Sequence, residues 1–207
     1  MKKTIIVNIG ISNLKSVEQA CVQSKINYKL SNNKDEIESS DAIIFPGNGS
    51  FYEAINKLHE YKLYNTLIDH IKKNKPYLGI CLGFQLLFEF SNEIKKTNGL
   101  GIFKGFVDNL NNLNPNIVVP HVGWKKILFE EENKKKLMIN IQEMNCFFTH
   151  SYCVFSCDED IILSKSYFGE KLFVSSIIKD NIIATQFHPE NSSEIGLVFY
   201  KNFRSII

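Results

Sequence analysis

The chain has 207 residues, of which 44% are hydrophobic and 12% aromatic, so it can bury a full core. We expect one domain over residues 1–207. The formal net charge is only +2, and the lysine-rich stretches at 72–75 and 134–136 are typical of solvated surface. This balance argues against nucleic acid as a partner.

Five cysteines, at 21, 81, 146, 153 and 157, form neither an even set nor a CxxC pair. The first residues lack the pattern of a signal peptide, and no apolar run is long enough to span a membrane. These features predict reduced thiols in the cytoplasm and no membrane partner. We expect no metal and no cofactor.

In the first half, short apolar strands alternate with helices. The predicted strands cover residues 4–9, 28–30, 41–45 and 77–80. The predicted helices cover 14–24, 34–38, 51–73 and about 82–90. This alternation predicts a mainly parallel sheet with helices on both faces and a site at the carboxyl ends of its strands.

The second half is richer in β-strands. Predicted strands cover 103–107, 117–119, 124–129, 146–155, 161–166, 173–179 and 182–187, and a helix runs from about 192 to 203. Residues 130–136 are predicted to be an exposed loop. The expected fold class is therefore α/β, with antiparallel strands added to one side of a parallel core.

Cys81 lies where a predicted strand ends and a helix begins. Gly79 and Gly83 flank it, as a tight strand-to-helix elbow around a nucleophile requires. Such an elbow exposes the sulfur at a helix N-terminus, where backbone N–H groups favour thiolate. The alternative is an inert cysteine in the core.

A cysteine nucleophile needs a base and a group that orients the base. His188 ends an apolar strand, and after Pro189 the carboxylate of Glu190 projects to the same side. The alternative is an ordinary exit from a strand. His121 and His150 also follow or end strands and could line a pocket, whereas His59 and His70 are expected to be solvated helix residues.

Two motifs together closely resemble the class I glutamine amidotransferase family: Gly79-Ile-Cys-Leu-Gly-Phe-Gln85 and Gln186-Phe-His-Pro-Glu190. Shorter stretches at 12–17, 45–49, 119–124 and 148–152 are similar to the glutaminase subunits of imidazole glycerol phosphate synthase. The resemblance covers nearly the whole chain. It implies a flavodoxin-like fold and hydrolysis of L-glutamine to glutamate and ammonia.

The resemblance also implies residue roles. Cys81, His188 and Glu190 would form a triad, with the backbone N–H groups of Asn48 and Leu82 as oxyanion donors. The substrate would be held by Gly47, Gln85, Glu93, His150, Ser151 and Tyr152. A (βα)8-barrel cyclase subunit would form a heterodimer with the chain through Asn13, Val122, Trp124 and Asn191, and would receive the ammonia for histidine biosynthesis.

Three positions depart from the family pattern near the expected interface. Asn191 replaces a common lysine, Ser12 a glycine and Asn48 a small apolar residue. They leave open a second pathway, in which a variant barrel feeds a sugar amidotransferase that makes acetamidino sugars. A non-catalytic regulatory subunit, or a cysteine hydrolase of other specificity, is less consistent with the complete triad and Gln85.

Overall fold

The computed structural model describes residues 2–137 and 143–207. Strands β1 to β13 cover Thr4–Val7, Tyr28–Ser31, Ala42–Phe45, Tyr77–Ile80, Phe90–Ser91, Thr97–Asn98, Phe106–Asn109, His121–Phe129, Glu143–His150, Tyr152–Phe155, Ile162–Phe168, Lys171–Lys179 and Ile182–Thr185. Helices α1 to α7 cover Leu14–Gln23, Lys34–Glu38, Phe51–Glu60, Tyr64–Lys72, Leu82–Gln85, Glu131–Lys134 and Ser193–Ile206.

The main sheet has the strand order β2-β1-β3-β4-β13-β12-β11-β8-β9. Its first five strands are parallel to one another, and the remaining strands pair antiparallel. β1, β3, β4 and β13 are buried along their whole length, as apolar parallel strands are when helices cover both faces. The predicted mixed sheet is confirmed.

Alternate residues of the central strands enter two separate apolar layers. On one face Ile6 and Ile44 pack with α1 and α7, and on the other Ile5 and Ile43 pack with α3 and α4. This period-two division is what places helices on both faces of the sheet. None of the helices in the described ranges is long and apolar enough to cross a membrane.

A second sheet, with the order β10-β7-β5-β6, was not predicted. Its strand β5 begins at Phe90, after the end of α5, in a stretch for which the sequence pattern predicts that the helix continues to residue 90. The helix ends at Gln85, and Leu86, Leu87 and Phe88 are fully buried core residues. The prediction of helix through residue 90 was therefore wrong, because burial of this apolar run outweighed its helix propensity.

The predicted helix at 51–73 is in fact two helices, α3 and α4. The chain breaks at residues 61–63, where Lys62 has a positive φ of 57°. The lysine gives no strong sequence signal for this conformation, unlike glycine.

Three β predictions also need correction. Residues 117–119 form no strand, the run 146–155 is divided at Ser151 into β9 and β10, and the strand predicted at 103–107 begins at Phe106. The predicted loop 130–136 contains α6 and a short 3-10 turn. The division places Ser151 in a bend between β9, which belongs to the main sheet, and β10, which belongs to a second sheet.

Gly83 provides a test of the packing around the elbow. A Cβ at this position would lie 1.9 Å from the carbonyl oxygen of Phe45, a contact that backbone atoms must move to relieve. We expect Gly83→Ala to lower the free energy of unfolding by about 3 kcal/mol, measured by urea denaturation. The control is Gly49→Ala, whose Cβ would come no closer than 3.4 Å to Ile11. Equal stability of both variants would contradict this account.

Candidate active site

Cys81 occupies a strained turn between β4 and α5, with φ +52° and ψ −100°. This region is uncommon for a residue with a side chain and is often found at functional sites. The turn is held by a hydrogen bond from the Cys81 N–H to the Thr185 carbonyl at 2.7 Å. A Cβ at Gly79 would lie 2.6 Å from the Gly83 carbonyl, so the two glycines allow the close approach that the elbow needs.

The helix after Cys81 is a single turn, so it offers less dipole stabilisation than the sequence had suggested. The first N–H after the cysteine, that of Leu82, donates to the Gly47 carbonyl at 3.4 Å. Stabilisation of charge on the sulfur must therefore come mainly from side chains.

His188 and Glu190 lie together in a tight turn directly after β13. The Nδ1 of His188 is 2.8 Å from Oε1 of Glu190, and both side chains are about 95% buried. The His188 N–H donates to the Phe147 carbonyl at 2.8 Å, which ties the turn to β9. Since a carboxylate only accepts, Nδ1 carries a proton and Nε2 is the nitrogen available to Cys81.

The charge environment of His188 favours imidazolium. Burial lowers its pKa, but the Cys81 thiolate and Glu190 outweigh burial and raise the pKa to about 10. Among the described residues Nε2 has no hydrogen-bond partner, so this nitrogen is free to exchange a proton with the sulfur. Protonated His188 therefore adds to the free energy of unfolding. This contribution is complete below pH 6.5 and is lost as pH rises through about 10.

The two expected oxyanion donors are both engaged elsewhere. The Asn48 N–H donates to the Ile11 carbonyl at 3.2 Å, and the Gly47 carbonyl accepts from the Leu82 N–H. The peptide between Gly47 and Asn48 thus presents its oxygen, not its N–H, to the start of α5. An oxyanion site on these donors requires this peptide to reorient.

A cleft of about 270 Å³ opens beside Cys81. It is lined by Asn48, Gly49, Cys81, Leu82, Gln85, Glu93, Pro120, Thr149, His150, Ser151 and Tyr152. The cleft thus brings together five of the six residues predicted to hold substrate. Gly47 is not among the lining residues, and its carbonyl faces Leu82 instead.

Glu93 has a structural partner as well as a place in the cleft. Its carboxylate accepts hydrogen bonds from the Phe51 N–H at 2.5 Å and from the Ser50 hydroxyl at 3.2 Å. These contacts cap α3, where a negative charge is favourable. The cap holds the carboxylate in one position at the cleft.

Gln186 was part of a motif in the sequence but was not predicted to have a role. Its side chain is fully buried, and its Nε2 lies 3.6 Å from the Cys81 sulfur. Its Oε1 accepts from Gln85 Nε2 at 2.9 Å. The only available signal was its position two residues before His188 in the same strand exit.

His121 and His150 form a buried pair under the cleft. His121 Nδ1 is 3.2 Å from His150 Nε2, and His150 Nδ1 is 2.8 Å from the Tyr152 carbonyl. Burial lowers the pKa of His121 to about 4 and that of His150 to about 3. Phe148, Phe168 and Phe173 surround the His121 ring. Because both pKa values are lowered, both histidines are neutral near pH 7.

The prediction that His70 is solvated was wrong. Its side chain is 3% exposed, its Nε2 is 3.1 Å from the Pro76 carbonyl, and burial lowers its pKa to about 4. It borders a larger cleft of about 360 Å³ lined by several lysines, and the described lining residues of that cleft include no cysteine. His59 is exposed, as predicted.

All five cysteines are free thiols. Burial raises the pKa of Cys21, Cys146 and Cys157 to about 12 and raises that of Cys153 further. These four are therefore poor nucleophiles at neutral pH. Within residues 2–137 and 143–207, no three His, Cys, Asp or Glu side chains are grouped to hold a metal ion.

The four residues predicted to meet a partner all reach the surface. Asn13 and Asn191 are exposed, and the side chains of Val122 and Trp124 are each 51% exposed. Trp124 pairs across the strands with Phe147, whose carbonyl anchors His188. The exposed tryptophan thus pairs with the residue whose carbonyl holds the turn of His188 and Glu190.

The buried histidine pair predicts how stability depends on pH. In the unfolded chain histidine binds protons below about 6.5, whereas folded His121 does so only below about 4. The unfolded state then binds more protons, so the free energy of unfolding falls as pH drops through this window. We expect His121→Phe to reduce the change in urea midpoint between about pH 7.5 and about pH 5. A slope equal to that of the exposed control His59→Phe would contradict the assignment.

A model of the class-I glutamine amidotransferase family matches residues 5–204 of the chain. The imidazole glycerol phosphate synthase subunit HisH of Aquifex aeolicus is 40% identical over 205 residues, covering 98% of this chain and 96% of that protein. HisH of Pyrococcus furiosus is 40% identical over 207 residues and covers 100% of both chains.

Solved structures agree on the fold. A glutamine amidotransferase aligns with a TM-score of 0.76 at 15% identity, covering 98% of this chain and 97% of that one. The glutaminase domain of Trypanosoma brucei CTPS aligns with a TM-score of 0.64 at 15% identity, covering 100% and 95%. The chain belongs to the class I glutamine amidotransferase family, in the group of the HisH subunits of imidazole glycerol phosphate synthase.

Proposed function

We propose that the chain is a single glutaminase domain that hydrolyses L-glutamine with Cys81, His188 and Glu190. The observation that carries the proposal is the strained Cys81 elbow beside a buried imidazole that is hydrogen-bonded to Glu190. This arrangement has the nucleophile, the base and the orienting group in the order that acyl transfer requires.

In the first half-reaction the Cys81 thiolate attacks the side-chain carbonyl carbon of glutamine. A carbon–sulfur bond forms and the carbonyl π electrons move to oxygen. The intermediate collapses when the C–N bond breaks, and the protonated Nε2 of His188 gives its proton to the leaving nitrogen. Ammonia and a thioester result, with Glu190 holding the imidazole in position through Nδ1.

In the second half-reaction neutral His188 removes a proton from water through Nε2. The hydroxyl oxygen attacks the thioester carbonyl, and the C–S bond breaks to release the γ-carboxylic acid, which loses its proton to solvent to give glutamate. The sulfur leaves as thiolate and the proton stays on His188, which restores the starting ion pair. Burial of Cys81 and His188 favours both steps, because the charges involved are poorly screened there.

The substrate's α-amino and carboxylate groups would be held at the far side of the cleft. The Glu93 carboxylate is suited to the ammonium group, and the polar edge at 150–152 supplies further hydrogen-bonding groups. The Gln85 amide N–H groups are already committed to protein acceptors, so its oxygen is the group that remains for substrate.

The partner is a cyclase subunit, which we propose to be a (βα)8-barrel that forms a heterodimer with the chain. The relatives with 36–40% identity are named as subunits of imidazole glycerol phosphate synthase, which favours histidine biosynthesis over the sugar pathway. The half-exposed Val122 and Trp124 are consistent with an interface beside the site, since aromatic side chains are enriched at interfaces.

The engaged oxyanion donors suggest how a partner would control the reaction. Asn48 is held by the carbonyl of Ile11, two residues before the predicted interface residue Asn13. A partner that displaces the 11–13 turn would free the Asn48 N–H to turn toward the substrate. We therefore expect the isolated chain to have low glutaminase activity.

The nucleophile assignment is tested by Cys81→Ala. We expect glutamate formation to fall by about 10³-fold or more, because no other side chain at the elbow can form the thioester. The variant should keep the wild-type circular dichroism spectrum and urea midpoint. Cys157→Ala, which changes a thiol outside the cleft, should retain wild-type activity. Residual hydrolysis near wild type in Cys81→Ala would refute the assignment.

The partner is tested by adding purified barrels, one from histidine synthesis and one from a sugar-modification locus. We expect only the first to stimulate glutaminase activity. Trp124→Ala should weaken this stimulation about tenfold at subsaturating barrel, as loss of a buried interface aromatic does. The control is Val22→Ala. Val22 is an exposed apolar residue at the C-terminal end of α1, the end away from the predicted interface residue Asn13. Stimulation by the sugar-locus barrel alone would overturn the pathway assignment.

A further inference from the structure

Gln186 lies against the reacting sulfur, and the structure fixes which way its amide points. We propose that Gln186 is a further catalytic residue, whose side-chain N–H donates to Cys81 and holds the sulfur as a correctly aimed thiolate. This inference rests on the proposed role of Cys81 as nucleophile. The contact itself is the 3.6 Å approach of Nε2 to Sγ, a normal length for a hydrogen bond to sulfur.

The orientation of the amide follows from a main-chain carbonyl. The Tyr152 carbonyl can only accept, and it lies 3.0 Å from Gln85 Nε2, so the NH2 end of Gln85 must face it. The same NH2 group lies 2.9 Å from the Gln186 side chain, which must therefore present its oxygen. The NH2 end of Gln186 is left facing the sulfur.

The reverse orientation would be unfavourable at both ends. A flipped Gln186 would set its NH2 group against that of Gln85 and its carbonyl oxygen against the electron-rich sulfur. Two repulsive contacts would replace two hydrogen bonds in a fully buried location, where unpaired polar groups are costly.

The Tyr152 carbonyl is itself fixed by the buried histidine pair. It accepts from His150 Nδ1, so His150 Nε2 is an acceptor and His121 Nδ1 must donate to it. One hydrogen-bond chain thus runs from His121 through His150, Tyr152, Gln85 and Gln186 to Cys81. Every donor in it is determined, and the chain ends with an N–H at the sulfur.

The backbone also places Gln186 rigidly. Thr185, which precedes Gln186, is paired with Ile80, which precedes Cys81. The Cys81 N–H also donates to the Thr185 carbonyl. The Gln186 N–H donates to the Ser175 carbonyl at 2.8 Å. A buried amide is costly unless its polar atoms are paired, and here the Gln186 Oε1 accepts from Gln85 while its Nε2 donates to the Cys81 sulfur.

The donor acts on two steps of the reaction. It favours thiolate over thiol before attack, because a charged sulfur accepts a hydrogen bond much more strongly than a neutral one. It also favours departure of thiolate from the thioester in the second half-reaction. The N–H faces the sulfur, so it supplements the oxyanion donors and does not replace them.

The test is the pH dependence of Cys81 alkylation by iodoacetamide, measured by mass spectrometry of the Cys81 peptide. Alkylation reports thiolate and needs neither glutamine nor a partner. The titratable groups around the sulfur are His188 with Glu190 behind it, His150 and Glu93. All four are unchanged in the variants proposed.

Gln186→Met keeps the volume and removes the donor. We expect the midpoint of its alkylation profile to move about one pH unit upward, so that alkylation at a pH below both midpoints is about tenfold slower. Gln186→Glu keeps an acceptor for Gln85 but places an oxygen against the sulfur, and should show a larger shift. With glutamine as substrate, kcat should fall and KM should stay within about twofold.

Gln23→Met, an exposed glutamine on α1, is the control and should match wild type in all measurements. Unfolding of a Gln186 variant would be visible as alkylation of the buried Cys21 and Cys146, and the other Gln186 variant then decides the question. Wild-type alkylation profiles in the folded Gln186 variants would overturn this inference alone. Glutaminase activity surviving in Cys81→Ala would instead overturn the nucleophile on which it rests.

Discussion

The parallel pairing of β4 with β13 is the constraint on which the site depends. It sets Ile80 opposite Thr185, so the residues that follow, Cys81 on one strand and 186–190 on the other, emerge side by side. Both strands are wholly buried, which makes a change of register costly, since a one-residue slip would reverse every side chain. Cys81 and Gln186, more than a hundred positions apart in the sequence, are thereby brought within hydrogen-bonding distance.

The parts of the fold that the sequence predicts are those with a local cause. The parallel strands follow from short β-branched runs, and the elbow follows from two glycines around Cys81. The pairing of His188 with Glu190 follows from their spacing across Pro189. Each of these signals is contained within a few residues, and the structure agrees with each one.

The parts that escape prediction are decided by distant contacts. Helix 51–73 breaks at Lys62, and α5 ends after one turn because Leu86 to Phe88 fill the core. The sequence pattern places His70 on the solvent-facing side of a helix. In the structure it is buried, and its Nε2 lies 3.1 Å from the Pro76 carbonyl, just before β4. The role inferred for Gln186 likewise depends on Gln85 and Tyr152, whose positions a linear pattern does not relate.

Two sets of N–H donors lie near Cys81, and they differ in whether another acceptor already occupies them. The Gln186 N–H faces the sulfur in the resting protein, whereas the Asn48 and Leu82 N–H groups are bonded to main-chain carbonyls. Under the mechanism we propose, the resting site can therefore stabilise a thiolate but not the oxyanion that follows attack. Since the barrier to acyl transfer depends most on stabilising the oxyanion, withholding those two donors suffices to keep the reaction slow. In that proposed mechanism, activation requires the peptide between Gly47 and Asn48 to reorient, while Cys81 and His188 keep their positions.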